Sequence, residues 1–235
     1  MLMLRVITLI LTALLLLSCN DTGDTGAEPE PDAQAGPEAE TVPEPLADPQ
    51  EPGLSEYEAA VVAARARDEF FQRLAKQCGD AYPGGLTLEP EGDEMLTGTE
   101  RLIVHFRECG DHHLKIPFHI ELEDEQDWDR SRTWIFTRHD DRMELRHDHR
   151  KRDGSEDKVT MYGGYSVGGG SATRQEFKSV ARTEESGYFR GWRIEIVPGE
   201  RYTYGTIRDT SWSWRVDFDL TEPLKTPPPA PWGHE

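Results

Sequence analysis

The sequence is short of positive charge, has few cysteines and lacks an apolar run long enough to cross a membrane. Its 235 residues include 26 Lys and Arg against 45 Asp and Glu, which gives a net charge of -19, and only three cysteines. Affinity for nucleic acid rests on basic side chains that neutralise phosphates, so this charge balance argues against a nucleic-acid-binding protein. The length predicts one domain of ordinary size with a large unstructured remainder.

The N-terminal apolar segment predicts export. Residues 6–17 are apolar or nearly so, Arg5 precedes them, and Ser18 and Cys19 follow. At 1.5 Å per residue the segment spans roughly 18 Å, well short of a bilayer core of roughly 30 Å. We therefore interpret residues 1–18 as a signal peptide rather than a permanent transmembrane helix.

The end of this segment, Leu16-Leu17-Ser18-Cys19, resembles the bacterial lipobox, in which cleavage leaves an N-terminal cysteine that carries lipid. The resemblance implies lipidation of Cys19 by acyl chains such as palmitate, and several chains together anchor a protein durably. By the sorting rule of Gram-negative lipoproteins, Asn20 implies the outer membrane, on the side that faces the periplasm. An uncleaved anchor and a signal peptide with an unmodified Cys19 are the alternatives.

Two segments have compositions that are typical of disorder. Residues 19–54 are rich in acid and proline, contain no basic residue and show no hydrophobic periodicity, so we expect a disordered tether. Residues 221–235 include the run Pro227-Pro228-Pro229 and cannot continue a sheet, so we expect a disordered tail. A polyproline recognition segment is the alternative for the tail.

The domain between them, residues 55–220, is predicted to be mainly β. Ser55 and Glu58 form a capping-box pattern that begins one amphipathic helix, which ends by Gly79. After it the apolar period changes to two, in residues 114–122, 143–149, 192–196, 202–206 and 212–220. We expect eight or nine strands without intervening helices, in an antiparallel meander that closes into a small barrel, with a two-sheet sandwich as the alternative.

Cys78 and Cys109 remain if Cys19 is lipidated. An even number of cysteines in an oxidising compartment favours a disulfide between them. The alternatives are two free thiols and a metal site in which Cys109 joins His112 and His113, although that spacing is loose for a metal site.

Residues 164–168, Gly-Tyr-Ser-Val-Gly, match the G-x-S-x-G pattern of the α/β-hydrolase nucleophile elbow, which would make Ser166 a nucleophile. The elbow requires a helix directly after the serine, whereas Gly168-Gly169-Gly170 oppose helix formation. We therefore expect a flexible hairpin loop here.

The most unusual segment contains His147 and His149. These residues lie two apart on a predicted strand, so both point to one face, in phase with Met143 and Leu145. Inside a barrel the pair could hold a transition metal or haem, contact an organic ligand, or serve the core alone.

Several short motifs carry a resemblance to a known family. They are Arg132-Thr133-Trp134, Thr137-Arg138, Leu145-x-His147-Asp148-His149-Arg150, Asp153-Gly154-Ser155-x-Asp157 and Tyr162-Gly163-Gly164. Through these motifs the chain resembles an uncharacterised family of proteobacterial exported proteins over residues 70–220. The resemblance implies an envelope location and carries over no catalytic residue. The expected barrel is also similar in architecture to the lipocalin and calycin group, although that group's Gly-x-Trp is missing from residues 101–107.

Together these features predict a membrane-tethered, non-enzymatic binding module for a small molecule or an envelope partner, with no resident cofactor. A metal or haem carrier using His147 and His149, a hydrolase using Ser166 and a purely structural lipoprotein are the alternative functions.

Overall fold

The computed structural model describes residues 53–89, 96–122 and 127–235. The signal peptide, Cys19 and nearly all of the tether lie outside these residues. Among the helices that are described, none has both the length and the apolarity that crossing a membrane requires.

Helix α1 (Glu56–Ala75) opens the domain, and its N-terminus confirms the predicted capping box. The amide of Glu58 donates to Oγ of Ser55 (3.3 Å), and the Ser55 amide donates to the Glu58 carboxylate (2.9 Å). Only the last third of the helix reaches the core, through the buried side chains of Phe70, Phe71 and Leu74.

The rest of the domain is an antiparallel sheet of eleven strands. The strands before the glycine-rich run are β1 (Ala81–Leu88), β2 (Leu102–His105), β3 (Glu108–Cys109), β4 (His113–Leu122), β5 (Asp127–Arg138) and β6 (Met143–His149). After them come β7 (Tyr162–Ser171), β8 (Arg174–Lys178), helix α2 (Val180–Ser186), β9 (Arg190–Val197), β10 (Arg201–Arg208) and β11 (Ser211–Asp219).

Ten of the strands close into a barrel, which confirms the predicted fold class. The order around the barrel is β1, β11, β10, β9, β8, β7, β6, β5, β4 and β2, and β2 returns to β1. Strand β3 is an extra short strand that pairs with β4. Because closure pairs both edges of the sheet, the two-sheet sandwich is ruled out for this chain.

Three details of the predicted sheet were wrong. The sheet has eleven strands instead of the expected eight or nine. Helix α2 interrupts the meander between β8 and β9, and the glycine-rich residues 163–170 belong to strand β7 instead of a loop. A Cβ atom on Gly163 would lie 1.8 Å from the carbonyl oxygen of Leu145, and one on Gly164 would lie 1.9 Å from that of Lys178. Glycine therefore allows close approach of the neighbouring strands here.

The alternation along β6 follows the predicted faces. Met143, Leu145 and His147 are buried on the interior side, whereas Glu144 and Arg146 on the outer side are partly exposed. Asp148, also on the outer side, is buried and hydrogen-bonds to His234 of the C-terminal tail. A shift of one residue in register would turn these charged side chains into the core, so the apolar period fixes the register.

Helix α1 closes one end of the barrel. Arg138, the last residue of β5, contacts Asp68 of α1 (3.4 Å), and its guanidinium lies over the ring of Phe71. The predicted disulfide joins Cys78, just after α1, to Cys109 of β3. The helix is thus tied covalently to the sheet, and the alternatives of free thiols or a metal site at Cys109 are ruled out.

The C-terminal tail departs from the expectation of a disordered end. The Leu224 amide donates to the carbonyl of Ala81 on β1 (2.8 Å), and the Trp232 amide donates to the carbonyl of Arg130 on β5 (3.1 Å). Trp232 is buried, and His234 hydrogen-bonds to Asp148 on β6 (2.6 Å). The tail therefore runs along the outer wall from β1 to β6, because its aromatic and polar side chains find partners there.

Candidate functional site

A cavity of about 410 Å³ lies inside the barrel, at the end away from α1. Strands β6 and β10 end at this cavity with His149 and Arg208, while β7 and β9 begin there with Tyr162 and Arg190. The volume is within the range of about 300 to 1,000 Å³ that small-molecule sites occupy.

Ring side chains form most of the cavity wall. They are Phe118, Trp134, Tyr162, Trp192, Tyr204 and Trp214, together with His147 and His149. Several stack on one another, with ring centroids 4.0 Å apart for Trp134 and Tyr204 and 4.7 Å apart for His147 and Tyr162. Such a wall offers a large apolar contact area with rings held in place by their neighbours.

His147 has both ring nitrogens engaged by the protein. Its Nδ1 lies 3.1 Å from the Tyr162 carbonyl oxygen, which can only accept, so Nδ1 carries the proton. Its Nε2 lies 2.6 Å from the hydroxyl of Tyr204 and therefore accepts a hydrogen bond from it. Burial lowers the pKa of His147 to about 3, so the imidazole is neutral at pH 7.

His149 faces the same cavity but is only partly buried. Its Nε2 lies 3.1 Å from the hydroxyl of Tyr162. Burial lowers the pKa of His149, and the nearby charge of Arg132 lowers it further. The structure thus brings both predicted histidines to the interior site, His147 in its wall and His149 nearer its mouth.

This arrangement does not favour the metal or haem carrier. No lone pair of His147 is left for a metal, because Tyr204 occupies it. In the described part of the chain there is no group of three or more His, Cys, Asp or Glu side chains that could hold a metal ion.

Four arginines also line the cavity: Arg132, Arg182, Arg190 and Arg208. Arg132 is paired with Asp129. Arg182 comes from α2, and its guanidinium lies 5.7 Å from the ring centre of Tyr162 and 5.5 Å from that of Trp192. No Asp or Glu occurs among the residues that line the cavity in the described structure.

Ser166 lies outside this site. It is on strand β7, and its Oγ accepts a hydrogen bond from the Met143 amide of the neighbouring strand (2.9 Å). No helix follows it directly, so the alternative of a nucleophile elbow has no support in the described structure, and Ser166 has a structural partner instead.

Sequence reasoning missed the arginines, although part of the signal was present. Arg132 is in phase with Trp134 and Phe136 on β5, and Arg190 is in phase with Trp192 on β9. A basic residue on the strand face that otherwise carries core side chains indicates a place where a charged group lines the interior. Arg182 had no such signal, because α2 itself was not predicted.

Comparison of the chain with protein-family models, curated proteins and solved structures gives no match in any of the three. The resemblance to a proteobacterial family of exported proteins therefore stays a prediction.

Proposed function

We propose that this protein is a lipid-anchored envelope protein whose barrel binds a small organic molecule in the cavity beside His147. The observation that carries the proposal is the ring-lined cavity of about 410 Å³ at one end of the barrel. A protein that served only as structure would gain stability by filling this space, because an unfilled volume costs packing energy.

The polar groups of the cavity favour binding over catalysis. His147 is neutral and has both nitrogens engaged by Tyr162 and Tyr204, so it is placed to shape the wall rather than to move protons. The hydroxyl groups of Thr206 and Ser213 are hydrogen-bonded to each other (2.8 Å), with no histidine between them.

Titration with a neutral apolar dye, N-phenyl-1-naphthylamine, tests the binding function. The tryptophans of the cavity wall should transfer excitation to a dye bound inside the barrel. We expect one saturable site in the full chain, lost when Thr206→Phe fills the cavity.

Thr87→Phe is the matched control, because Thr87 is an exposed residue of β1 and the same ring is added away from the cavity. Equal dye binding by the Thr206→Phe protein and the wild-type protein would place the dye elsewhere and contradict the proposal.

The lipid-anchored part of the proposal is supported by the apolar residues 6–17 followed by Leu16-Leu17-Ser18-Cys19. An anchor at Cys19 would hold the barrel at the membrane through residues 20–54. Its test is the mass measurement described in the Discussion.

A further inference from the structure

We propose that the ligand of this cavity is an amphipathic organic anion, with an apolar body held among the rings and one carboxylate or sulfonate group held by the arginines at the mouth. This inference rests on the proposed binding function and specifies its ligand class. It follows from an excess of positive charge at the cavity in a protein whose net charge is -19.

The charge at the mouth is not neutralised by the protein. Of the four arginines, only Arg132 forms an ion pair among the described residues, with Asp129. Arg190 has the hydroxyl of Tyr188 as its polar contact (3.4 Å). Arg182 and Arg208 are exposed at the mouth, and no carboxylate of the described chain lies within ion-pair distance of either.

Among the described residues, Arg182 has no counter-ion and is held in position by ring contacts. Its guanidinium lies over the faces of Tyr162 and Trp192, a favourable arrangement that leaves its N–H groups free to bind a ligand. A guanidinium presents its donors in a fork that matches a carboxylate or sulfonate in two parallel hydrogen bonds.

Below this mouth, the buried polar side chains of His147 and Tyr204 carry no charge. His147 is neutral with a pKa of about 3, and burial raises the pKa of the Tyr204 hydroxyl, so the phenol is neutral as well. A ligand with charge at both ends would leave one charge buried and unpaired, which is costly. One acidic group on an apolar body is the chemistry that fits.

Two dyes separate this inference from the proposed function. 8-Anilinonaphthalene-1-sulfonate carries the same ring system as the neutral N-phenyl-1-naphthylamine and adds one sulfonate. The full chain is titrated with each dye in mild detergent, with excitation transfer from tryptophan as the signal for dye in the barrel. Each variant is compared with the wild-type protein for the same dye.

The decisive variant is Arg182→Gln combined with Arg208→Gln. We expect it to weaken binding of the sulfonate dye by about tenfold or more, the size of a lost charge-assisted hydrogen bond. Binding of the neutral dye should weaken far less, because that dye has no charged group for the two arginines to hold. Arg174→Gln is the control, since Arg174 is an exposed arginine at the start of β8, outside the cavity lining.

The outcomes are distinct. If the double variant binds both dyes as the wild-type protein does, the anion inference is overturned while the binding function stands. If neither dye binds the wild-type barrel, the proposed function fails and the inference fails with it. Competition by decanoate and by 2-naphthoate, which carry a carboxylate on a chain and on a ring system, then distinguishes a lipid-derived anion from an aromatic one.

Discussion

The hydroxyl of Tyr204 on β10 donates a hydrogen bond of 2.6 Å to Nε2 of His147 on β6, across the interior of the barrel. The same imidazole donates from Nδ1 to the Tyr162 carbonyl on β7 (3.1 Å). One neutral histidine therefore connects strands β6, β7 and β10, and its ring forms part of the cavity wall.

Replacing Tyr204 by Phe should lower the free energy of unfolding by about 1 to 2 kcal/mol, because Nε2 of His147 is left buried without a donor. The ring remains, so its stacking on Trp134 is retained. Chemical denaturation measures the change. The control is Tyr57→Phe, which removes a hydroxyl from an exposed position of α1. Equal stability of the Tyr204→Phe and Tyr57→Phe proteins would show that the bond contributes nothing.

Stability should fall between pH 7 and pH 5. Burial lowers the pKa values of His119 and His147 to about 3, from an ordinary value of 6.5. The unfolded chain therefore binds protons that the folded chain excludes, so this stability is fully present above pH 6.5 and is lost as pH falls toward 3. We expect a loss of about 2 kcal/mol for each histidine between pH 7 and pH 5, measured by denaturation at each pH.

The variant His119→Leu isolates one of the two contributions. Neither ring nitrogen of His119 has a hydrogen-bond partner among the described residues. Leucine should therefore raise stability at pH 7 and remove the part of the acid-induced loss that His119 contributes. A variant that is less stable at pH 7 and keeps the wild-type pH profile would contradict this explanation.

The sequence predicted the structure correctly where the apolar period of a segment matches the burial of its side chains. The alternation through Met143, Leu145 and His147 predicted the face of β6, and the capping box of Ser55 and Glu58 predicted the start of α1. The sequence predicted the structure poorly where contacts with distant residues decide the local conformation. The glycines of β7 suggest a loop in isolation, and only the approach of Leu145 and Lys178 from neighbouring strands explains them.

The position of the C-terminal tail on the barrel could not be predicted from its composition either. Residues 221–235 have the proline content of a disordered segment, yet Trp232 and His234 reach Arg130 and Asp148 on the outer wall. No local pattern could show this, since the partners lie far away in the sequence. The candidate site was predicted only in part for the same reason. The strand alternation predicted where its two histidines point, whereas Arg182 lies on a helix that the sequence did not predict.

Trp232→Ala should release the tail while leaving the barrel folded. The side chain of Trp232 is buried and lies 5.9 Å from the Arg130 guanidinium, so its loss removes most of the apolar contact of the tail. Limited proteolysis should then cut the tail after Lys225 much faster than in the wild-type protein. Pro229→Ala, in an exposed part of the tail, is the control. Equal cleavage rates would show that Trp232 does not hold the tail.

Removing the disulfide should be costly. Replacing Cys78 and Cys109 together by Ser frees a loop with a sequence separation of 31 residues. The chain-entropy expression gives a loss of about 3 to 4 kcal/mol for a loop of this length. Thermal unfolding of the double variant, beside the wild-type protein with and without reductant, measures it. An unchanged melting temperature in both cases would show that the bond does not constrain the fold.

Lipidation of Cys19 has a direct test in the intact mass of protein extracted from membranes. We expect a mature chain that begins at Cys19 and exceeds the polypeptide mass by that of its acyl chains. Cys19→Ser should abolish the added mass and release the protein from the membrane fraction. A wild-type chain with an unmodified Cys19, or one that begins elsewhere, would refute the anchor.

A crystal structure of the protein grown with 8-anilinonaphthalene-1-sulfonate tests the central claim most directly. We expect the ring system inside the barrel beside Trp134 and Trp192, with the sulfonate within hydrogen-bond distance of Arg182 or Arg208. A dye bound only on the outer wall, with the cavity beside His147 free of it, would contradict the account.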